Sequence, residues 1–124
     1  MGYTNYWKQN KVEELPEDFI NKVNRIFEAS RVPLANGMGK KGTLPECNKN
    51  MVWFNGVDEE SCETFYIGSE ENGFNFCKTN GQPYDVIVKS VLLLAQNFGI
   101  VYDVSWDGDE SDAEEAKKML ELLK

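Results

Sequence analysis

The stretch FCKTNGQPYD, residues 76–85, places a thiol, an amine and a hydroxyl side by side just before a predicted helix. Backbone N–H groups at the start of a helix attract anions, so Lys78 and Thr79 are candidate contacts for a small phosphorylated ligand. Asp85 falls in the first turn of that helix, where its carboxylate complements the positive end of the dipole. Cys77 has no neighbouring base and is predicted to pack rather than react. The stretch therefore predicts a structural and binding corner rather than a catalytic one.

Histidine does not occur among the 124 residues. Its absence excludes Ser-His-Asp and Cys-His catalysis, which need an imidazole base, and zinc sites that use imidazole. The three cysteines, Cys47, Cys62 and Cys77, form no C-x-x-C pair, which excludes zinc ribbons and thioredoxin-type redox motifs. We therefore expect reduced thiols, no cofactor and no enzymatic activity.

The segment DVSWDGDESDAE, residues 103–114, fits the spacing of a twelve-residue calcium loop. The positions that would supply its oxygen ligands hold Asp103, Ser105, Asp107 and Glu114. Two features oppose this interpretation. The preceding residues are predicted to form a strand rather than a helix, and Ser111 and Glu114 also match the S-x-x-E capping box of a following helix. We expect no metal site here, and a calcium-stabilised structural protein remains an alternative.

A second pattern, GMGKKG at residues 37–42, matches G-x-G-x-x-G. In a dinucleotide site such glycines lie between a strand and a helix, so that the pyrophosphate meets the helix N-terminus. Here a predicted helix precedes the glycines and no helix follows them. The pattern is instead predicted to belong to a long loop, residues 33–50.

The chain carries a formal net charge of −8, and its acidic residues fall into three clusters. The clusters are Asp58 with Glu59 and Glu60, then Glu70 with Glu71, and then the acids within residues 107–115. Such a surface is a poor partner for nucleic acid, because phosphate binding needs clustered lysines and arginines. It is either a solvated face that maintains solubility or a face that docks on a basic site of another protein. The acidic candidates for docking are Glu59, Glu60, Glu70 and Glu71.

The length and composition suit one domain, residues 1–124, since 41% of the residues are hydrophobic and can form a buried core. No apolar run reaches the 18 residues of a membrane-spanning helix. The N-terminus, MGYTNYWKQN, lacks the basic-then-apolar pattern of a signal peptide. We therefore expect a cytoplasmic protein without a membrane partner.

Hydrophobic periodicity predicts three helices and five strands. The helices cover about residues 16–30, 83–99 and 111–124, and the strands cover about residues 3–7, 51–56, 62–67, 73–79 and 100–106. The second helix is apolar around most of its circumference and is predicted to be central and buried. The three strands that precede it are predicted to form a meander. The order β-α-β-β-β-α-β-α predicts an α+β fold with a mostly antiparallel sheet of four to five strands.

Taken together, the motifs MGYTNYW, FNG, CETF, FCKTNGQPYD and DVSWDG resemble a family of small phage, prophage and bacterial proteins of unknown activity. The resemblance covers nearly the whole chain and implies a phage origin. Family members typically have a histidine where Asn5 stands, and often a serine where Trp106 stands. The resemblance also implies that one pocket at the strand ends contains Tyr3, Thr4, Tyr6, Trp7, Asn55, Glu63, Cys77, Lys78, Asp85, Ser105 and Asp107.

A small, acidic, phage-like domain without catalytic apparatus fits an inhibitor of a host defence system, anti-CRISPR or other, which binds a host protein through its acidic surface. One alternative is a sponge that sequesters a small phosphorylated signalling ligand. Another is a nucleotide-modifying enzyme in which Lys78 and Asp107 supply the polar groups. The sequence leaves the host target and the oligomeric state open.

Overall fold

The computed structural model describes residues 2–123 and contains three α-helices and two antiparallel sheets of three strands each. The strands are β1 (Thr4–Gln9), β2 (Glu46–Cys47), β3 (Met51–Phe54), β4 (Phe65–Gly68), β5 (Gly73–Lys78) and β6 (Val101–Trp106). The helices are α1 (Glu17–Ala29), α2 (Asp85–Asn97) and α3 (Glu114–Glu121). Two short 3-10 helices cover Asp58–Glu60 and Glu110–Ala113.

The N-terminal strand β1 is the central strand of the first sheet, whose order is β5-β1-β6. Its register with β5 puts Thr4 opposite Lys78 and Gln9 opposite Gly73. Its pairing with β6 is irregular in the middle, where Asp103 takes a positive φ of 52°. The second sheet has the order β2-β3-β4. The start of β1, the end of β5 and the end of β6 therefore meet at one end of the first sheet.

The α+β class is confirmed, but the predicted single sheet of four to five strands is wrong, because the strands divide between two sheets. The predicted meander ends after β4, since β5 pairs with β1 and not with β4. The predicted loop 33–50 also contains β2, which pairs with β3. Aromatic packing joins the two sheets: the ring centroids of Trp7 on β1 and Phe65 on β4 are 5.2 Å apart.

Helix α2 is the centre of the core, as its apolar circumference predicts. Eight of its 13 residues are buried, and it packs against α1, α3 and β6. Helix α1 contributes one buried stripe, Phe19, Val23 and Ile26. These residues and the inner faces of both sheets form one hydrophobic cluster. Within residues 2–123, no helix combines the length and the hydropathy needed to cross a membrane.

The approach to α3 differs from the predicted capping box. The side chain of Asp109 accepts a hydrogen bond from the backbone N–H of Ser111 at 3.0 Å, and so caps the short 3-10 helix that precedes α3. The Ser111 hydroxyl donates to the same carboxylate, so it does not cap α3 with Glu114. These bonds lower the pKa of Asp109 because they favour its ionised form.

Leu92→Ala tests the central position of α2. Leu92 is fully buried, and removing its side chain should lower the free energy of unfolding by roughly 2–5 kcal/mol, because the lost contacts leave a cavity. The matched control is Leu44→Ala, since Leu44 is 77% exposed and its loss should cost less than about 0.5 kcal/mol. Urea unfolding of both variants measures the difference, and equal losses would contradict this packing.

Candidate functional site

Lys89, in the first half of α2, is fully buried although its side chain is charged. Its ammonium pairs with the Asp85 carboxylate one turn earlier. The same nitrogen lies 4.4 Å from the centroid of the Tyr3 ring and 5.2 Å from the Trp106 ring. A buried charge requires such neighbours, because an unpaired ion in apolar surroundings is costly. This lysine cluster consists of Tyr3, Asn5, Thr79, Asp85, Lys89 and Trp106.

Asp85 connects three segments of the chain. Its second carboxylate oxygen accepts hydrogen bonds from Asn5 Nδ2 at 2.8 Å and from Thr79 Oγ1 at 2.6 Å. The backbone adds further links, since the N–H groups of Thr79 and Asn80 both donate to the carbonyl of Tyr3. The start of β1, the turn after β5 and the start of α2 are thereby held together at the end of the first sheet.

The predicted phosphate-binding site at the start of α2 is occupied by side chains of the protein itself. Thr79 is fully buried, and its hydroxyl donates a hydrogen bond to the Asp85 carboxylate. The Asp85 carboxylate itself takes the place at the helix start where an external anion would bind. Lys78 is exposed, and its side chain lies along Gly2, whose added Cβ would approach Lys78 Cε to 2.6 Å. Of the two predicted ligand contacts, only Lys78 is therefore accessible.

Asp107 and two tyrosines join β1 to the segment that follows β6. The Asp107 carboxylate accepts from Thr4 N at 2.9 Å and from the Tyr6 hydroxyl at 2.8 Å, and the Tyr3 hydroxyl donates to Asp112 at 2.7 Å. The bond to Asp107 raises the pKa of Tyr6, and burial raises the pKa of Tyr3. Both phenols therefore stay protonated and act as donors at neutral pH.

Two other predicted site residues are buried in the fold, and a third, Ser105, lies on the outer face at the same end of the first sheet. Trp7 is buried beneath the first sheet and has no exposed surface for a partner. Asn55 is buried beside the second sheet, where its amide donates to the carbonyls of Gly37 and Cys62 and accepts from backbone N–H groups. Ser105 is exposed and pairs with Tyr6 across the strands. Trp7 and Asn55 are thus structural residues in this fold.

The glycine pattern at residues 37–42 serves loop packing. A Cβ atom on Gly37 would lie 1.9 Å from Nε1 of Trp53, so this glycine allows the loop to rest on the indole. Gly39 and Gly42 have φ values of 72° and 90°, which side chains disfavour. Close packing and backbone conformation therefore explain all three glycines without a nucleotide.

Cys77 and Glu63 lie at the edge of β5. The Cys77 thiol and the Tyr84 hydroxyl both donate to the carbonyl of Glu63, the latter at 2.6 Å. Burial raises the pKa of Cys77 to about 12, so the thiolate needed for nucleophilic attack is scarce at neutral pH. The Glu63 carboxylate accepts from the backbone N–H of Lys78 at 2.8 Å. These contacts close the sheet edge.

The calcium candidates do not form a loop. Asp103 and Ser105 belong to β6, and the Asp103 carboxylate pairs with Lys8 at 3.4 Å. Asp107 is engaged by β1, and Glu114 is the first residue of α3. Among residues 2–123, no group of three or more His, Cys, Asp or Glu side chains is arranged to hold a metal ion.

Sequence reasoning overlooked the residue at the centre of the cluster. Lys89 looked like a polar interruption of an apolar helix, and its pairing with Asp85 was not predicted. The available signal was the spacing, because residues four apart on a helix lie on the same face. Asn5 and Asp112 were also overlooked, since their partners are 80 and 109 residues away along the chain.

Asp85→Ala tests the buried ion pair. The variant leaves the Lys89 ammonium buried without its carboxylate, which should lower the free energy of unfolding by about 3–5 kcal/mol. The control is Glu14→Ala, which breaks an ion pair with Lys49 whose side chains are 59% and 66% exposed. Exposed pairs contribute less than about 1 kcal/mol. Equal losses for the two variants in urea unfolding would show that the cluster does not hold the fold together.

Comparisons of the sequence with protein-family models and with curated proteins, and of the structure with solved structures, found no match. The resemblance to small phage and bacterial proteins therefore stays a prediction from the motifs.

Proposed function

We propose that this chain is a phage-encoded, non-enzymatic binding protein that inhibits a host defence system by docking its acidic surface on a basic host protein. The observation that carries the proposal is an end of the molecule where acidic side chains gather without internal counter-charges. The phage origin and the host defence target rest on the motif resemblance described above.

We group the first cluster seen in the sequence with the acids of residues 107–112 from the third as this acidic end, because hydrogen bonds connect both to the turn before α2 and to Tyr3. The link between them runs through the lysine cluster: Gln82 Nε2 donates to the carbonyl of Glu59, the N–H of Gln82 donates to the carbonyl of Thr79, and Tyr3 connects to both Thr79 and Asp112. The acidic end consists of Asp58, Glu59, Glu60, Asp107, Asp109, Glu110 and Asp112. All seven residues are exposed.

Within the described part of the chain, no ion pair balances the charges at the acidic end, and Lys41 is the lysine that lines the same surface hollow as Asp58, Glu59 and Glu60. None of its carboxylates forms an ion pair with a lysine or arginine among residues 2–123. Elsewhere on the surface some acids are paired, since Glu70 lies 3.6 Å from Lys11 and Asp103 lies 3.4 Å from Lys8, while Glu71 forms no ion pair among residues 2–123. An uncompensated field of one sign steers a partner of the opposite sign and raises the association rate.

The second predicted cluster lies away from this end. Glu70 and Glu71 follow β4 and precede β5, and the side chain of Gln9, at the far end of β1, is directed at the carbonyls of Gly68 and Glu71. Gln9 and Thr4 are the two ends of β1, five residues apart, which is about 16–17 Å at the usual rise of a strand. Glu59 and Glu60 are therefore better candidates for docking than Glu70 and Glu71.

A basic host protein is the partner that this arrangement favours. Defence effectors that grip nucleic acid present clustered lysines and arginines, and a rigid set of carboxylates competes with phosphates for such a site. Asp107 and Asp112 are held by hydrogen bonds from Thr4, Tyr6 and Tyr3, so these two carboxylates lose little conformational entropy on binding. The protein would act by occupying the site and not by turning over a substrate.

Two double variants with the same change of net charge test the proposal. Glu59→Lys with Glu60→Lys should slow association with the host target at least tenfold at low salt, because it reverses charge at the acidic end. Glu70→Lys with Glu71→Lys is the matched control and should change the rate less than threefold. The measurement compares the proteins retained from host lysate by each variant, followed by association kinetics with the purified target.

Salt provides the second arm of this experiment. Association of the wild-type chain should slow as salt rises, since the Debye length falls from about 10 Å at 0.1 M to about 3 Å at 1 M. Equal effects of the two double variants would contradict a localised acidic docking end. Multiple turnover of a substrate by the purified chain would contradict a non-enzymatic function.

A further inference from the structure

The face of the β5-β1-β6 sheet that points away from α2 is open to solvent and rich in aromatic side chains. Alternation along β1 buries Asn5, Trp7 and Gln9 on the inner face and directs Tyr6 and Lys8 outward. The register places Phe76 of β5 opposite Tyr6, and it places Phe74 of β5 and Tyr102 of β6 opposite Lys8. The aromatic face consists of Tyr6, Phe74, Phe76 and Tyr102.

These rings form a contiguous patch. Phe74 is 64% exposed, Phe76 is 51% exposed and Tyr102 is 42% exposed. The Tyr6 and Phe74 rings stack with centroids 6.3 Å apart, and the Phe74 and Phe76 centroids are 6.1 Å apart. Exposed apolar patches of contiguous side chains mark interaction sites, whereas singly scattered ones do not.

A partner would reach this patch from above the sheet and not by adding a strand at the β5 edge. Side chains already occupy donors along that edge: Asn75 accepts from the N–H of Phe76, and Glu63 accepts from the N–H of Lys78. The Glu63 N–H also donates to the carbonyl of Lys78. Such capping discourages strand addition.

The charges around the patch favour a cationic partner. Lys8, on the same face, is neutralised by Asp103, while the exposed Asp107 carboxylate borders Tyr6 through the tyrosine hydroxyl. Lys78 lies at the end of β5 and runs along Gly2. Beyond Asp107 the acidic end continues with Asp109 and Glu110. Exposed rings and unpaired carboxylates are therefore adjacent on one surface.

We infer that the aromatic face binds arginine side chains of the basic partner, with guanidinium groups stacked on Tyr6, Phe74 and Phe76 and paired with Asp107. Arginine suits this surface better than lysine, because its planar guanidinium stacks on rings and bonds carboxylates through two N–H groups at once. The inference rests on the proposed function and specifies the chemistry of the partner.

Two other occupants fit less well. A second copy of this chain would bring two net charges of −8 together, which opposes association through faces that border acids. A single-stranded nucleic acid could stack its bases on the rings, but its phosphates would meet the unpaired carboxylates. Lys8 and Lys11 are already paired, which among residues 2–123 leaves Lys78 as a single exposed lysine at this face where phosphate binding needs clustered ones. A basic protein with exposed arginines satisfies both the rings and the acids.

Nona-arginine and nona-lysine peptides, which carry equal charge, are the probes that test this inference. Isothermal titration of the wild-type chain at 0.15 M salt should give an affinity for nona-arginine about tenfold higher than for nona-lysine, because only the guanidinium group stacks as well as pairs. Phe74→Ala with Phe76→Ala should remove that preference. The control is Tyr66→Ala, which removes a 37% exposed ring from the second sheet and should keep the preference.

Each alternative has its own result. Equal affinity of the wild-type chain for both peptides, or no binding of nona-arginine at millimolar concentration, would overturn the inference regardless of how the variants fold. If both peptides bind equally and the Glu59→Lys, Glu60→Lys variant weakens both, the acidic docking stands and the arginine preference fails. If sedimentation shows a dimer and Phe74→Ala with Phe76→Ala abolishes it, the face is a contact between two copies of this chain. If an oligonucleotide binds as tightly as nona-arginine, the face binds nucleic acid.

Discussion

The ion pair between Lys89 and Asp85 is the interaction on which the end of the first sheet depends. It allows a charged side chain to lie fully buried within the central helix, and Asp85 in turn orders Asn5 on β1 and Thr79 after β5. The Tyr3 ring covers the ammonium while its hydroxyl reaches Asp112. One buried charge pair thus fixes the segments that carry the acidic end, and it leaves no opening at α2 for an external anion.

Local patterns in the sequence predicted the elements well and their pairing poorly. Residues 83–99 are apolar around most of the helix circumference. This pattern predicted a central helix, because a helix buried on most sides needs apolar residues on most sides. Each of the five predicted strands also occurs close to its predicted place, while β2 lies in the segment predicted as a loop. The partner of β5 could not be read from its own residues, since β1 lies about seventy positions earlier and strand pairing depends on packing between distant segments. The predicted meander followed the rule that neighbouring strands pair, but β5 pairs with β1, and the two sheets pack through Trp7 and Phe65.

The sequence predicted many of the residues proposed for function, but it did not predict which of them are buried and which lie together on the surface. The structure brings Tyr3, Thr79, Asp85 and Asp107 to one end of the first sheet, yet it buries Thr79 and satisfies Asp85 internally. Acidic clusters are obvious in a sequence, but only the fold separates Glu59 from Glu71. The aromatic face was invisible beforehand, because Phe74 and Phe76 look like core residues until the register shows which side of β5 is covered. The proposal of a basic, arginine-bearing partner rests on these rings and carboxylates together.

Amide hydrogen exchange of the free chain and of the chain bound to the proposed basic partner is the most direct test, since it locates the docking surface without any substitution. The account predicts slower exchange on binding within residues 58–60, within residues 107–112 and along β5, with little change at Glu70 and Glu71. Protection centred on the turn that contains Glu70 and Glu71, or on the second sheet, would contradict it.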